Sequence, residues 1–259
     1  MDEIVKRSTL EPGLLHLSLN RPDQLNALSH EMLTRLAQHL DEIKRDSSVK
    51  AILLTGEGKG FCAGADIKQL ASLNGQSGLA FASFGQAVFS RLESLGKPSL
   101  AAIHGFAFGG GCELAMAATL RIATSTSLFG QPEIKLGVMP GFGGTTRLTR
   151  LIGQGRALEM CLSGRRFTAE QALQWGWLNE MTSETELLNS AKRLLSPFLT
   201  LSPVALRSIL TVIHQGADLT LSQALSLEAT HFGLCCTSAD KQEGVTAFLE
   251  KRTPLFKGE

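Results

Sequence analysis

The chain has 259 residues, of which 43% are apolar and 19% are charged, and its formal net charge is +1. This composition is typical of a soluble globular protein with ample core, and no block of lysine or arginine suggests a nucleic-acid partner. No apolar run approaches the roughly 18 residues of a membrane span, and the first residues lack a signal peptide's apolar stretch, so we expect a cytoplasmic protein.

Short strand patterns alternate with helical patterns in the first 140 residues. Ser29 is a plausible N-cap, and apolar residues recur after it at helical spacing as far as Ile43. A second helical pattern covers roughly 79–95. Strands are predicted at 4–10, 14–19, 51–55, 99–104, 121–124 and 127–129.

From about Thr145 onward the patterns are mostly helical. The sequences Thr168-x-x-Gln171 and Ser183-x-x-Glu186 are capping boxes, which predict two helix starts. Further helices are predicted at 203–214, 221–232 and 239–251. This order favours an α/β layer structure followed by a helical C-terminal part.

The stretch 105–114, with the sequence GFAFGGGCEL, places three successive glycines before a helical pattern and then an acidic residue. Two other places, at 60–66 and 140–144, show a similar order of strand or loop, glycine-rich turn and helix. The three are either a remote repeat or simply what strand-to-helix turns require. Such turns let the backbone approach a ligand closely, and they leave N–H groups at the helix start that attract negative charge.

Three ligands suit such a turn: a phosphate, a dinucleotide or an oxyanion formed during a reaction. A P-loop needs Gly-Lys-Ser/Thr, whereas Cys112 and Glu113 follow Gly111 here. A dinucleotide fingerprint needs GxGxxG, which this stretch lacks, and Glu113 would repel a phosphate. Two readings remain, an oxyanion hole of two N–H donors aimed at one point, and a tight turn in which Glu113 only complements the helix dipole.

The cysteines and histidines indicate no metal site. The five cysteines form no CxxC pair, and their odd number suggests free thiols in a reducing cytoplasm. No histidine lies in a metal-ligand spacing. Cys112 precedes a helical pattern as a nucleophile would, but no histidine partner is evident, so a buried structural thiol is the better interpretation. His104 is expected to be a core histidine of a buried strand.

Four motifs follow one another along the chain: FCAGADIK at 61–68, GGGCELA at 109–115, FGQPEIKLG at 129–137 and PGFGGT at 140–145. Together with NRP at 20–22, NAL at 26–28 and FLEKR at 248–252, they resemble the enoyl-CoA hydratase/isomerase family, the crotonases, over essentially the whole chain. The resemblance implies an α/β spiral of repeated ββα units over 1–195, which carries the CoA and catalytic sites. It also implies a helical region over 196–259 that packs across the subunits of a homotrimer, or of a hexamer built from two trimers.

The resemblance further implies a reaction and its residues. The N–H groups of Ala65 and Gly110 would form the oxyanion hole for the thioester carbonyl. Glu113 and Glu133 would be the catalytic carboxylates, the first activating water and the second protonating C2, while Gly141 would position water or substrate. Adding water across C2=C3 needs a base, an acid and stabilisation of the enolate oxygen. The implied activity is reversible hydration of trans-2-enoyl-CoA to 3-hydroxyacyl-CoA, in fatty-acid β-oxidation or related acyl-CoA catabolism.

Contacts with the rest of the substrate are implied as well. Lys59 and Lys68 lie where the family contacts the CoA phosphates and nucleotide, and Lys251 where a neighbouring subunit contributes; the alternative is that all three are only solvated. The other implied CoA contacts are Ala27, Ala63, Ala65, Asp66 and Ile67. The candidates for the acyl pocket are Phe108, Phe142, Phe232 and Phe248, the last two being core or subunit-boundary residues otherwise. Because CoA is part of the substrate, no cofactor is expected.

Two alternatives to a hydratase remain open. A Δ3,Δ2-enoyl-CoA isomerase of the same fold can work with one carboxylate, so the presence of two glutamates favours the hydratase. A non-catalytic, RNA-associated homologue is disfavoured by the weak charge bias. The preferred acyl length is not readable, because an acyl pocket is formed by side chains far apart in sequence.

Overall fold

The computed structural model describes residues 3–259. Its strands are β1 (Val5–Glu11), β2 (Leu14–Leu19), β3 (Ala51–Gly56), β4 (Ser99–Ile103), β5 (Phe106–Phe108), β6 (Leu120–Thr124), β7 (Leu128–Gly130), β8 (Arg166–Thr168) and β9 (Glu180–Thr182). Its helices are α1 (His30–Arg45), α2 (Ile67–Ala71), α3 (Gly75–Glu93), α4 (Gly110–Ala117), α5 (Gly144–Ile152), α6 (Gln154–Ser163), α7 (Ala169–Gln174), α8 (Leu187–Leu195), α9 (Pro203–Gly216), α10 (Leu221–Cys236) and α11 (Ala239–Glu250). The expected α/β structure with a helical C-terminal part is confirmed.

Two sheets form the α/β part. The larger has six strands in the order β1-β2-β3-β4-β6-β9, with β1 and β2 antiparallel and all other neighbours parallel. The smaller has the order β5-β7-β8, in which β5 and β7 run parallel. The carboxyl ends of β4 and β6 lead directly into the smaller sheet, so the two sheets together bring 105–114 and 129–137 to one region.

Alternate side chains of the central strands enter two separate cores. On β3, Ile52 and Leu54 belong to the main core, whereas Ala51 and Leu53 belong to a smaller core that also holds Ala191 and Leu195 of α8. Because both faces of the sheet are covered, β3 reads as one continuous apolar run rather than an alternation. The apolar pattern of this segment therefore predicts the strand, but it does not show which elements cover its two faces.

The first helix shows how the local sequence sets an element's bounds. The hydroxyl of Ser29 accepts the N–H of Met32 at 3.2 Å, which starts α1 where the sequence predicts. Lys44 and Arg45 lie in its last turn, where cations suit the helix dipole. The apolar stripe from Met32 to Ile43 is fully buried in the main core.

The structure corrects several expected elements. The predicted capping box at Ser183 is wrong: α8 starts at Leu187, and the Ser183 hydroxyl contacts Thr185 Oγ1 at 3.1 Å. The reason is that β9 ends at Thr182, so the next residues form the turn that leaves the sheet. The strands β5, β8 and β9 have no counterpart among the predicted strands; each has only three residues, too few to show an alternation, although the equally short β7 was predicted at 127–129.

The last three helices differ from the rest in their exposure. No residue of α9 or α10 is buried. Their exposed large apolar side chains, with those of α11, are named here the C-terminal apolar set: Ile209, Ile213, Leu221, Leu225, Phe232, Leu234, Val245, Phe248 and Leu249. Within residues 3–259, no single helix has the length and apolar character to cross a membrane; one pair, Leu187–Leu199 with Pro203–Gly216, passes by length and composition alone, bent by 109°.

Candidate active site

A cavity of about 890 Å³ lies between the α2–α3 segment and the loop that precedes α5. Ala65, Gly110, Glu113, Glu133 and Gly141 all line it. Most of its other lining is apolar and comes from the 67–82 segment and from 136–142. The structure therefore brings together five residues that are far apart in sequence and that the motifs singled out.

Glu113 lies in the first turn of α4 and is 1% exposed. Its Oε1 accepts two main-chain N–H groups, from Phe142 at 2.8 Å and from Gly144 at 2.6 Å. A side chain at Gly144 would not fit, because an added Cβ would lie 2.8 Å from that same oxygen. The carboxylate is thus held through one oxygen by the start of α5, which leaves Oε2 without a hydrogen bond in the described chain.

Glu133 follows Pro132 and begins a short 3-10 helix, Glu133–Leu136. It lies against Gly109, where an added Cβ would be 2.6 Å from Glu133 Oε1. Gly109 also has φ 49° and ψ −123°, a conformation that side-chain-bearing residues rarely adopt. Two separate constraints therefore require glycine at residue 109, the N-cap immediately before α4.

Gln131 is a site residue that the sequence analysis missed. Its side chain is fully buried, and its amide nitrogen, oriented to suit its neighbours, lies 3.1 Å from Oε1 and 3.2 Å from Oε2 of Glu133. A Cβ added at Gly144 would contact both Gln131 and Glu113, so the glutamine lies between the two carboxylates. Its place two residues before Glu133 in FGQPE was the available signal, but sequence alone does not show that this glutamine is buried.

Burial raises the pKa of both carboxyls. The pKa of Glu113 rises to about 8 through desolvation and then through the nearby charge of Glu133, against the opposite effect of the N–H donors of Gly144 and Phe142. Desolvation raises the pKa of Glu133 to about 7, against the effect of its own main-chain N–H. Because the two groups interact, they titrate as a pair, and near neutral pH the pair holds about one proton.

The raised pKa of Glu113 makes a prediction for stability. Since its pKa rises from 4.5 to about 8 on folding, ionisation opposes folding increasingly as the pH rises between those values. Each unit is worth about 1.4 kcal/mol, so Glu113→Gln should stabilise the protein by about 2–4 kcal/mol above pH 8 and by little near pH 4. Thermal unfolding from pH 5 to pH 9 should show a Tm difference that grows with pH. The exposed Glu170 provides the control, since Glu170→Gln should give no such trend.

The N–H groups of Ala65 and Gly110 are free of acceptors in residues 3–259. Gly110 is the first residue of α4, where an N–H has no intrahelical partner. Ala65 is held on both sides, because Gly64 O accepts from Leu28 N at 2.8 Å and Leu28 O accepts from Asp66 N at 3.1 Å. A Cβ at Gly64 would lie 3.4 Å from Gly110 N, so the two segments that carry the free N–H groups are adjacent.

Of the residues implied as CoA contacts, only Ala65 and Ile67 line this cavity. Ile67 lines the cavity and is 58% exposed, and Lys59 and Lys68 are exposed on the adjoining segments. Asp66 caps α2 and pairs with Arg21 at 3.2 Å. Ala27 and Ala63 are half-buried. Lys251 is exposed at the end of α11, and like Lys59 and Lys68 it does not line the cavity.

Of the four phenylalanines expected in the acyl pocket, only Phe142 lines the cavity of its own chain. The structure corrects the expectation for Phe108, whose ring stacks on Phe106 at 5.3 Å and lies under Arg166. Phe232 and Phe248 are 71% and 84% exposed on the C-terminal helices, so this chain alone does not place them in the pocket.

Other candidate groups take structural positions. Cys112 is fully buried, and burial raises the pKa of its thiol well above the usual range, as expected of a structural thiol. The expectation of a core position for His104 is wrong: it lies just beyond β4, is half-buried, and its Nε2 is 2.8 Å from Gly58 O. Among residues 3–259, no group of three or more His, Cys, Asp or Glu side chains is arranged to hold a metal ion.

Comparisons with known proteins agree with this geometry. A family model described as enoyl-CoA hydratase/isomerase matches residues 9–259. The chain is 43% identical over 237 residues to the short-chain-enoyl-CoA hydratase of Clostridium acetobutylicum, covering 91% of each. It is 40% identical over 247 residues to the crotonyl-CoA hydratase of Syntrophomonas wolfei, covering 95% of each. The crystal structure of enoyl-CoA hydratase from Bacillus anthracis superposes with a TM-score of 0.95 at 35% identity, covering 99% of this chain and 100% of that one.

Proposed function

Because the chain belongs to the enoyl-CoA hydratase/isomerase family and is an enzyme of the hydratase type, we propose that Glu113 and Glu133 add water across the C2=C3 bond of a trans-2-enoyl-CoA. The product is a 3-hydroxyacyl-CoA, and the reaction is reversible. One observation carries the proposal: two carboxylates line the same cavity as two main-chain N–H groups that have no other acceptor.

The N–H groups of Ala65 and Gly110 bind the thioester oxygen. As hydroxide adds to C3, negative charge moves through the conjugated system to that oxygen and gives an enolate. Donors fixed in place before the reaction stabilise this charge where it develops, with no cost of reorganisation. Both donors belong to the protein backbone, and the close packing of Gly64 against Gly110 fixes their separation.

Glu113 acts as the base. The two N–H donors on its Oε1 favour its carboxylate form and orient it, so that Oε2 can accept a proton from water while the water oxygen bonds to C3. Glu133 gives the proton shared by the pair to C2, and the Gln131 amide nitrogen, 3.1 Å from its Oε1 and 3.2 Å from its Oε2, holds the carboxylate that remains. After one turnover Glu113 holds the proton and Glu133 is ionised, so one proton exchange with solvent restores the starting state. The raised pKa values, about 8 for Glu113 and about 7 for Glu133, let the pair hold one proton near neutral pH, and they are too close together to fix that proton on one carboxyl.

The CoA portion arrives with the substrate, so the proposed reaction uses no separate cofactor. Lys59 and Lys68, both exposed, are proposed to bind its phosphates together with Ala27, Ala63, Asp66 and Ile67. The printed names of two relatives, short-chain-enoyl-CoA and crotonyl-CoA hydratase, make a four-carbon acyl group the first choice of substrate. We place the reaction in fatty-acid β-oxidation or related acyl-CoA catabolism, in the cytoplasm.

We propose further that the chain works as a homotrimer, or as a hexamer of two trimers. The C-terminal apolar set supports this, because so many large apolar side chains on three adjacent helices indicate a surface that a second copy covers. Lys251, Phe232 and Phe248 belong to the same three helices, and we assign their roles to the site of a neighbouring copy. The mass of the assembly in solution distinguishes three copies from six.

The experiment that tests the function is turnover of crotonyl-CoA by the purified protein. We expect the absorbance of the conjugated enoyl thioester to fall as 3-hydroxybutyryl-CoA forms, and to rise when the reaction starts from that product. A 3-enoyl-CoA is the matched control, since a hydratase should convert it much more slowly. Conversion of 3-enoyl-CoA without hydration of 2-enoyl-CoA would indicate the isomerase instead. Salt-dependent RNA binding without any turnover would indicate a binding protein.

A further inference from the structure

The N–H groups that hold Glu113 belong to the loop 140–144, and helix α3 fixes the position of this loop. Gln86 Nε2 of α3 donates to Gly141 O at 2.8 Å. Arg147 donates to Phe142 O at 3.0 Å and is itself paired with Glu93 of α3 at 2.9 Å. Two side chains of α3 thus hold the two residues before Gly143: Gln86 binds Gly141 directly, and Glu93 acts on Phe142 through Arg147.

Between these polar contacts, the Phe142 ring packs directly on α3. The ring is 3% exposed and lies edge-on to Phe81 at 5.1 Å and to Phe89 at 5.6 Å, measured between ring centroids. One edge of the ring contacts Gly85: an added Cβ would overlap with Cδ1 and would lie 2.5 Å from Cε1 and 2.8 Å from Cγ. Real Cβ atoms do not approach a ring so closely, so the ring or the helix would have to move.

The other edge of the ring is closely packed as well. It lies against Gly110, where an added Cβ would be 3.1 Å from Cδ2 and 3.2 Å from Cε2 of Phe142. The ring therefore lies between two glycines, one in α3 and one that carries a free N–H of the site. A displaced ring would either push on Gly110 or pull the main chain of 142–144 away from Glu113.

The backbone conformation does not explain why residue 85 is glycine. Gly85 lies inside the helix α3, does not have a positive φ, and would gain up to about 1 kcal/mol of helix propensity as alanine. Gly75 and Gly78 of the same helix contact nothing within 4 Å of an added Cβ. Among these three glycines of α3, only Gly85 has a neighbour that would exclude a methyl group.

We propose that Gly85 is a positioning residue for catalysis: its bare Cα seats the Phe142 ring and so keeps the N–H groups of Phe142 and Gly144 on Glu113. This inference rests on the proposed role of Glu113 as the base. Gly85 touches no substrate, and it acts through the Phe142 ring and the main chain of that loop.

The test is a set of four variants assayed with crotonyl-CoA: Gly85→Ala, Phe142→Leu, the double variant and Gly155→Ala. A misplacement of about 1 Å costs up to about 100-fold in rate, so we expect Gly85→Ala to lower kcat at least 10-fold. Its KM should change less than about 3-fold, because the candidate CoA contacts belong to other segments. Phe142→Leu gives the new methyl group room, so the double variant should recover kcat to within about 3-fold of Phe142→Leu alone. Gly155→Ala, at an exposed helical position with nothing within 4 Å, should match the wild type.

Three outcomes would overturn the inference: Gly85→Ala with wild-type kcat, a loss confined to KM, or a double variant no better than Gly85→Ala. If Gly85→Ala does not fold, the folded double variant decides, and a kcat far below that of Phe142→Leu would contradict the proposal. Turnover by the wild-type protein distinguishes a failure of the proposed function from a failure of the role assigned to Gly85. Without turnover by the wild type the proposed function fails, whereas normal wild-type turnover with an indifferent Gly85→Ala refutes only the role of Gly85.

Discussion

Replacing Glu113 by glutamine should lower kcat for crotonyl-CoA hydration by about 10²–10⁴-fold, and Glu133→Gln should do the same. Hydration needs a base for the water and an acid for C2, and an amide can do neither. Glutamine at residue 113 removes the acid–base function and keeps the packing, since its amide oxygen can still accept the N–H groups of Phe142 and Gly144. The loss should therefore appear in kcat, with little change in KM.

The matched control for both variants is Glu170→Gln, an exposed carboxylate of α7 that does not line the cavity and should leave kcat unchanged. Initial rates under saturating substrate measure all three variants. If either Glu113→Gln or Glu133→Gln kept hydration within about 2-fold of the wild type, the two-carboxylate mechanism would be wrong. A protein that retained conversion of 3-enoyl-CoA with only one glutamate would support the single-carboxylate isomerase alternative.

The second large effect is expected at the oxyanion hole, where Gly110→Pro removes one donor. Gly110 is the first residue of α4, the helical position that tolerates proline best because its N–H has no helical partner. Loss of one such donor costs about 10²–10³ in kcat. Because the proline ring also adds atoms at a buried residue, where a Cβ would lie 3.0 Å from Leu28 Cδ1, the loss of turnover counts only in a variant that keeps a cooperative thermal transition.

Gly110→Ala is the control that separates the donor from the space around it. Alanine keeps the N–H but adds a Cβ 3.0 Å from Leu28 Cδ1 and 3.1 Å from the Phe142 ring, so its neighbours must shift by a few tenths of an ångström. We expect a smaller loss than for proline. Equal losses in the two variants would mean that crowding, and not the missing hydrogen bond, explains the effect, and the assignment of Gly110 as a donor would fall.

The sequence was sufficient wherever one short segment determines the outcome. Ser29 starts α1 as predicted, because the N-cap and the first turn are consecutive in the chain. Glu113, Glu133, Ala65 and Gly110 were singled out by the family resemblance of the motifs that contain them, and the structure places all four in one cavity, while their catalytic roles stay predictions. The capping box at Thr168 forms as predicted, since the side-chain bonds to and from Gln171 are both present.

The sequence was insufficient where a residue depends on a distant partner. Gly85 has no motif of its own, and its constraint comes from a ring 57 residues further along the chain. Gln131 looks like any surface glutamine until the fold buries it beside Glu133. Phe108 was misplaced because proximity in sequence to Gly110 does not reveal that β5 turns its ring toward Phe106.

The parallel order of the larger sheet has a consequence for how the chain reaches this state. Strand β2 pairs with β3 across the whole of α1, and β6 pairs with β9 only after the chain from Thr124 to Glu180 has been made. Pairings of this kind join segments that are far apart in sequence. The entropy cost of closing a large loop therefore arises before stabilising contacts form, and this slows folding. During synthesis the edge of β6 therefore remains unpaired until β9 emerges, and an unpaired strand edge of this kind favours aggregation.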